Sequence, residues 1–490
     1  MEDQFKVRLE KLEKVKELGM ETYPYQFDKN ISIPELKSEY SEKDEKYFED
    51  LKNEFKVAGR IMSIRKMGKS SFFHIFDGNE TIQMYIRKDM VSEDIFALFK
   101  LLDIGDIIGV SGKLFKTRSG ELTILVSEIK FLSKSFHPLP EKWHGLQDKE
   151  LRFRQRYLDL IVNENSRSII KTRSEIIQNI RMFFYNIGYR EVETPMMHSI
   201  AGGASAKPFI THHNSLNIDL YLRIAPELYL KRLLVGGMEK IFEINRNFRN
   251  EGISMMHNPE FTMLEFYELY QDFEYYMDLT EKLFSELNGS VLDADYITFH
   301  GNSISLKPPF KRKKFMELIS DKSGIPTEDL WIESKLKKFI EMNLQSEEMP
   351  PTYGKMLELL FDHYVENDLI DPVFVTHYPK AISPLSKQSR FDDKETERFE
   401  LFIGGMEIAN GFSELNDPIE QRRRFESQVK DREKGDDEAQ SIDQDFLRAL
   451  EQGMPPAAGE GIGIDRLVML YTGADNIKEV ILFPTLRPKE

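Results

Sequence analysis

The sequence predicts an α+β chain: a small N-terminal β-barrel, then a larger domain in which a mixed, mostly antiparallel sheet is flanked by helices. Three observations predict it. First, short runs between Phe55 and about Phe136 alternate apolar and polar residues. Ile82, Met84 and Ile86 interleave with Gln83, Tyr85 and Arg87, and Leu122, Ile124 and Val126 repeat the pattern. A period of two marks a half-buried strand. Turn signals at Asp77-Gly78-Asn79 and Ser119-Gly120 divide the runs, and several short strands with glycine turns suggest a barrel. Second, the period changes over Ser168 to Ile187. Ile169, Ile176, Ile180, Phe183 and Ile187 share one helical stripe, and Gly188 follows as a C-cap. Third, strand-like segments lie around Leu220–Ile224, Lys240–Phe248, Phe261–Tyr267 and Glu400–Ala409. Their spacing is not that of strand–helix–strand repeats, which favours an antiparallel sheet.

In chain order, residues 1–50 read as a charged helical segment and 51–140 as the barrel, left through the linker His137-Pro138-Leu139-Pro140. The large domain spans 141–490, with a charged insertion of helical character around 280–370. Arg432 to Asp445 is a solvated charged stretch.

With 490 residues, 40% hydrophobic and 31% charged, the chain is long enough for a sizeable core and has an ordinary globular balance. No apolar run approaches the ~18 residues of a membrane helix. The first twenty residues mix Lys and Glu without the apolar stretch of a secretory signal. Cysteine is absent, which excludes disulfides and thiolate metal sites and fits a cytoplasmic protein. The net charge of −16 argues against a general nucleic-acid binder. Any RNA contact must use local basic patches and stacking.

Two segments carry most of the chemistry. Phe248-Arg249-Asn250-Glu251 is followed by His257-Asn258-Pro259-Glu260-Phe261, and far downstream comes Gly461-Ile462-Gly463-Ile464-Asp465-Arg466. Arg249 supplies a planar bidentate donor for phosphate or carboxylate. Glu251, two residues on, is read on the same strand face. Phe261 offers a stacking face, and Arg466 opens a helix behind two glycines, where backbone N–H groups favour anions. Three decoys fall away. Gly68-Lys69-Ser70 ends like a phosphate loop, but Ser63 stands where its first glycine belongs. Arg466 occupies the third-glycine position of a dinucleotide fingerprint begun at Gly461. Lys66 to Ser70 resembles a class I synthetase signature but lies too early, with no partner segment before it.

These segments, with Pro195 in Gly188-Tyr189-Arg190-Glu191-Val192-Glu193-Thr194-Pro195, resemble the three motifs of the class II aminoacyl-tRNA synthetases, and within them the lysyl enzymes. The resemblance runs from about Leu51 to the end. It implies an OB-type barrel, a class II catalytic domain, a homodimer, and ATP, L-lysine and the lysine tRNA as substrates. By resemblance, Arg249 and Arg466 are catalytic, and ATP is bound by Arg249, Glu251, His257, Asn258, Phe261, Glu400, Gly463 and Arg466. Glu400 and Glu407 hold Mg²⁺, two or three ions accompanying the ATP; a hard cation needs only one or two protein carboxylates beside phosphate oxygens. Lysine is bound by Gly203, Glu227, Arg249, Glu265, Tyr267, Asn410, Phe412 and Glu414. A dry pocket with several carboxylates needs a cation, which a basic substrate supplies.

On the barrel, Phe72 and His74 alternate with Phe73 and Ile75, so one strand face exposes an aromatic. A Phe with Arg and Gln beside it suits single-stranded RNA, by stacking and base-edge reading. The resemblance assigns Arg65, Phe72 and Gln83 to the anticodon. Two other readings stay open: an enzyme that transfers lysine from its adenylate to a protein, and an inactive synthetase-like RNA-binding protein.

Overall fold

The computed structural model describes residues 2–140, 146, 148–292, 294–344, 349–436 and 441–488. The chain divides into two compact units, Met1–Asn163 and Glu164–Glu490.

In the first unit, α1 (Glu2–Glu17), α2 (Ile33–Tyr40) and α3 (Glu45–Asp50) come first. Helix α2 starts where Ser32 and Glu35 cap each other's backbone N–H and Pro34 fits the first turn. The barrel follows: β1 (Phe55–Met67), β2 (Ser70–Phe76), β3 (Thr81–Arg87), then α4 (Glu93–Leu101), β4 (Ile107–Lys116) and β5 (Leu122–Ser133). The strands close in the order β1-β2-β3-β5-β4, so no edge is left to pair with another chain. Phe73, Ile75, Met84, Ile86 and Ile124 point inward and are fully buried, as the alternation predicts. Phe72, His74, Gln83 and Tyr85 stand on the outer face, half-buried. Two short helices, α5 (Lys149–Arg154) and α6 (Arg156–Val162), complete this unit.

The second unit opens with α7 (Glu164–Asn186). Its buried stripe is Ile169, Ile176, Ile180 and Phe184. The sequence reading placed Phe183 and Ile187 there instead. Phe184 wins because it lies four residues from Ile180, one turn on, while Ile187 is exposed beyond the helix. Gly188 takes positive φ, and Tyr189 N–H reaches back to Phe184 O, a helix-ending motif that needs a left-handed residue. The strands β6 (Arg190–Glu191), β7 (Met197–His198), β8 (Ile210–His213) and β9 (Ile218–Leu222) precede α8 (Glu227–Val235). Next come β10 (Lys240–Phe248), β11 (Glu260–Leu269) and α9 (Phe273–Leu287).

The stretch 280–370 holds more than helices. The hairpin β12 (Tyr296–Phe299) and β13 (Asn302–Ser305) is followed by β14 (Lys311–Lys314), which adds an edge strand to the main sheet. Lys311-Arg312-Lys313-Lys314 has no apolar alternation, so no sequence period announces it. Charged side chains on an edge strand deter further pairing. Four helices, α10 (Phe315–Ser323), α11 (Thr327–Leu330), α12 (Glu333–Asn343) and α13 (Tyr353–Tyr364), then pack on β15 (Val373–Thr376). Residues 293 and 345–348 of this stretch lie outside the described residues, as do 437–440 of the charged stretch Arg432–Asp445.

The remaining elements are β16 (Arg398–Ile403), β17 (Met406–Ser413), α14 (Pro418–Glu433), α15 (Gln444–Glu451), β18 (Ala457–Gly463), α16 (Ile464–Thr472) and α17 (Ile477–Val480). The sheet runs β14-β15-β16-β17-β18-β11-β10-β6. Only its outermost pairs, β14/β15 and β10/β6, are parallel. One face is apolar: Leu264, Phe266, Leu401, Ile408 and Ile462 pack under α7, α9 and α16. The alternate residues of the same strands form the floor of the site, since successive side chains point to opposite faces. Beneath α9, Thr280 Oγ lies 2.8 and 2.7 Å from the two oxygens of buried Glu460 and 2.8 Å from Tyr276 O. Among the described residues no helix is long and apolar enough to cross a membrane.

Candidate functional site

A cavity of about 410 Å³ opens on the polar face of the main sheet. Its two ends differ in charge.

Two arginines and a histidine line one end. Strand β10 stops at Phe248, so Arg249 and Glu251 stand in the loop beyond it, not on a strand as the sequence suggested. The last bond of the ladder is Arg249 N–H to Pro259 O, 2.9 Å. Pro259 has no N–H to continue the pairing. The Arg249 guanidinium lies 5.1 Å over the Phe261 ring. Its Nε is buried and has no hydrogen-bond partner among the described residues, an unmatched donor at the cavity wall. Burial lowers the Arg249 pKa against the opposing charges of Glu251 and Glu407. Glu251 lines the cavity and is exposed.

Arg466 is held from both sides: Nη1 donates to Glu407 O at 2.8 Å, and Nη2 to His257 Nε2 at 3.0 Å. Burial and then the charge of Arg466 lower the His257 pKa, so the ring is neutral. With Nε2 accepting, the proton sits on Nδ1, 2.9 Å from Ser254 Oγ. The neighbouring Asp465 ties the start of α16 to the fold, accepting from Thr262 N at 2.7 Å and Arg173 Nη1 at 2.6 Å. Gly463 caps α16 and lines the cavity. Asn258 also lines it, but its amide is engaged with Glu260 O (2.6 Å) and Thr485 N (3.3 Å).

Glu400 and Glu407 come from one hairpin. Strands β16 and β17 are joined through Gly404 and Gly405, both with positive φ, the requirement of a tight two-residue turn. The register then sets Glu400 opposite Asn410 and Phe402 opposite Glu407, with a bulge beside Leu401. Both glutamates line the cavity. Glu400 is oriented by Arg398 (2.5 Å) and the Tyr378 hydroxyl (2.7 Å). Burial, opposed by Arg398 and reinforced by Glu407, pushes its carboxyl up to about 7. Arg398 also donates to Asn410 Oδ1 at 3.2 Å, so one buried guanidinium fixes two cavity residues.

Carboxylates dominate the other end. Glu227 opens α8, and Glu265 and Tyr267 share the polar face of β11, the Tyr267 hydroxyl donating to Glu265 at 3.1 Å. Gly203, Asn410 and Phe412 line the same space. Burial and then the charge of Glu227 push the Glu265 carboxyl up to about 8. Glu414, expected among the lining residues, sits behind the wall, fully buried and absent from the cavity surface. Strand β17 ends at Ser413, and Glu414 N–H bonds to Ala457 O, turning the side chain inward. Gly459 separates it from the cavity: a Cβ there would lie 2.2 Å from the Tyr267 ring and 2.6 Å from Glu414 Oε1.

In the barrel unit, the register sets Arg65 opposite Phe72, Phe72 opposite Tyr85, and His74 opposite Gln83. Phe72 and Tyr85 stack at 4.5 Å. Gln83 donates to Glu121 at 2.7 Å and accepts from Thr123 at 2.9 Å. Arg65 is exposed.

Comparison with known proteins decides the family. Residues 148–487 match the model of tRNA synthetases class II (D, K and N), and 55–132 that of an OB-fold nucleic acid binding domain. A lysine–tRNA ligase of Pelotomaculum thermopropionicum is 51% identical, covering 99% of this chain and 95% of the relative. Those of Listeria monocytogenes and Moorella thermoacetica are 49% and 50% identical, covering all of this chain and 98% of each relative. The chain belongs to the class II tRNA synthetases, in the lysine–tRNA ligase family.

Within that family frame, the residues missed in the sequence are those that act behind others. Arg398 stands two positions before Glu400 on the same strand face, a signal that period-two spacing offered. Tyr85 alternates outward with Gln83. Lys231 and Glu121 gave no pattern.

Proposed function

We infer that the chain activates L-lysine with ATP and passes the lysyl group to the 3′ end of its tRNA. The observation that carries this reading is the polarity of the cavity: Arg249 and Arg466 at one end, Glu227 and Glu265 at the other. The arginines suit the phosphates of ATP, and the carboxylates the ammonium groups of lysine. The substrate carboxylate is already ionised at neutral pH, so its attack on the α-phosphorus needs no general base. Arg249 neutralises charge on the pentavalent phosphorus and holds the attacking carboxylate in line. Arg466 exchanges Glu407 and His257 for the far phosphates. Phe261 and Glu251 offer the adenine a stacking face and an acceptor for its amino group. Asn258 keeps the shape of this loop.

Glu400 and Glu407 would hold Mg²⁺: they are two carboxylates near one another, one pushed up partly by the other's charge, a setting that favours a hard cation. The ion, when bound, screens the triphosphate. Arg398 and Tyr378 hold Glu400 ready for it.

Arg65, Phe72 and Gln83 are proposed to meet the anticodon, Tyr85 backing the Phe72 ring. The exposed Met182, Tyr185, Met196 and Met197, on and beyond the outer face of α7, support a homodimer. The compartment proposed for it is the cytoplasm, where tRNA is charged for translation. Lysine-dependent exchange of pyrophosphate into ATP tests the reading. Exchange with lysine but not with aspartate or asparagine is expected; equal exchange with the acidic amino acid overturns it.

A further inference from the structure

Behind the amino-acid end of the cavity lies a lysine of the chain itself. Lys231, four residues after Glu227 on α8, has a fully buried side chain. Its Nζ lies 2.5 Å from Glu227 Oε1 and 2.5 Å from Glu414 Oε2. The Phe412 ring covers it, its centroid 5.0 Å from the nitrogen. The contact to Glu414 is a close ion pair and not an aligned hydrogen bond, and Glu414 Oε1 has no hydrogen-bond partner among the described residues.

Glu227 and Glu414 thus share one internal ammonium, and Glu265 lies within reach of the Glu227 charge. The next charged pair, Arg223 with Glu243 at 2.7 Å, is neutral in itself. At neutral pH burial keeps Glu265 and Glu414 mostly protonated; with both ionised against an incoming cation, two negative charges stand beyond the one that Lys231 offsets. Lysine brings two ammonium groups, one at each end of its chain, and its carboxylate faces Arg249. We propose that Lys231 is a positioning residue that holds Glu227 and Glu414 together and leaves the amino-acid end with two negative charges, matched to a substrate with two ammonium groups. The proposal rests on the reading of this cavity as the lysine site.

The physical argument is that neighbouring buried carboxylates repel and give up their charge unless a cation lies between them. Burial alone would discharge Lys231, but Glu227 and then Glu414 reverse the effect, and its pKa is raised. Burial drives Glu414 the other way, up to about 8, against the pull of Lys231. Without the ammonium, one carboxylate must take up a proton or swing away, and either change removes an acceptor from the substrate.

The test is a charge series read by lysine-dependent pyrophosphate exchange: Lys231→Met, Glu414→Gln, and the two together. Each single change unbalances the count, and lysine KM is expected to rise about thirtyfold or more. The double change restores two negative charges, so its lysine KM should fall below that of either single variant, with ATP KM unchanged throughout. A packing role for Lys231 predicts the opposite, a double variant no better than the worse single one, and that result overturns the proposal. Equal rises in ATP KM overturn it too. Should Lys231→Met fail to fold, Glu414→Gln decides alone, since it conserves volume. Norleucine lacks the side-chain ammonium. The ratio of lysine to norleucine affinity should shrink at least tenfold in this variant, and an unchanged ratio counts against the proposal. Native enzyme without lysine-dependent exchange would sink the functional reading itself, whereas active native enzyme with a failed series sinks only the role of Lys231.

Discussion

At the scale of single residues, the site is built from groups whose usual partners have been withheld. Arg249 keeps a buried Nε without a hydrogen-bond partner among the described residues and rests its guanidinium on Phe261. Replacing it by alanine removes the charge proposed to face the reacting phosphorus. Pyrophosphate exchange is expected to fall about 10²–10³-fold; a rate within tenfold of native refutes the assignment. Glu460 shows the same economy in the core. Thr280 has one hydroxyl hydrogen, yet Tyr276 O and Glu460 both lie within bonding distance. A protonated Glu460 resolves the conflict by donating to Thr280, which then donates to Tyr276. Burial pushes this carboxyl up to about 8. Between about 4.5, its unfolded value, and 8, the folded protein holds a proton that the unfolded chain has lost. Stability from this group is therefore full below about pH 4.5 and is lost as pH rises through 8. Glu460→Gln should flatten the decline in melting temperature over that window; an equally steep decline in the variant refutes the protonated state. Arg249, Glu251, Glu400 and Arg466 were named in the sequence through their resemblance to the family's motifs, and the fold brings all four to one cavity. Lys231 was not: a lysine on a charged chain reads as solvated, and only the fold shows it enclosed by two glutamates.

At the scale of elements, alternation explains what could be read. Strands β2, β3 and β5 declare both faces in sequence, so the barrel and its outer aromatic were foreseeable. Strand β14, four basic residues on an edge, declared neither. The stack of Phe72 on Tyr85 makes a preformed platform, flanked by the exposed Arg65, Lys66 and Lys69. In a chain of net charge −16, such a local patch is proposed to draw in the RNA backbone. Phe72→Ala removes one stacking contact, worth roughly 1–3 kcal/mol. The KM for tRNA should rise about tenfold to a hundredfold while exchange without tRNA stays near native. Parallel loss of both activities would show a structural role, and loss of neither would show ordinary barrel surface. The hairpin β16/β17 was read as one segment. Its two glycines are what fold Glu407 back alongside Glu400.

For the whole molecule, the two units own separate apolar cores. The barrel core runs from Leu12 to Phe131, and the others draw only on residues from Ile169 onward. Units with their own cores melt as units. Calorimetry should resolve two transitions, only one of which rises when lysine and ATP are added, because ligands stabilise the unit that binds them. A single transition, or an equal rise in both, would show that the units unfold together.

The order of the main sheet carries one more consequence, which concerns synthesis on the ribosome. Strand β18, the last of the sheet in the chain, lies in its middle, between β17 and β11. During translation the barrel can close its core when about a quarter of the chain has emerged, since its last strand ends at Ser133 of 490 residues. The larger sheet must wait as two unjoined halves, one ending in β11 and the other in β17, each showing an open edge. Domains fold vectorially as they emerge, and open edges invite pairing with other chains. The segment Ala457–Gly463 seals both edges at once and delivers Arg466 in the same event. A nascent chain stalled before Ala457 therefore presents a finished RNA-binding barrel on a catalytic unit still without its second arginine, and that is the stage at which a chaperone has most to cover.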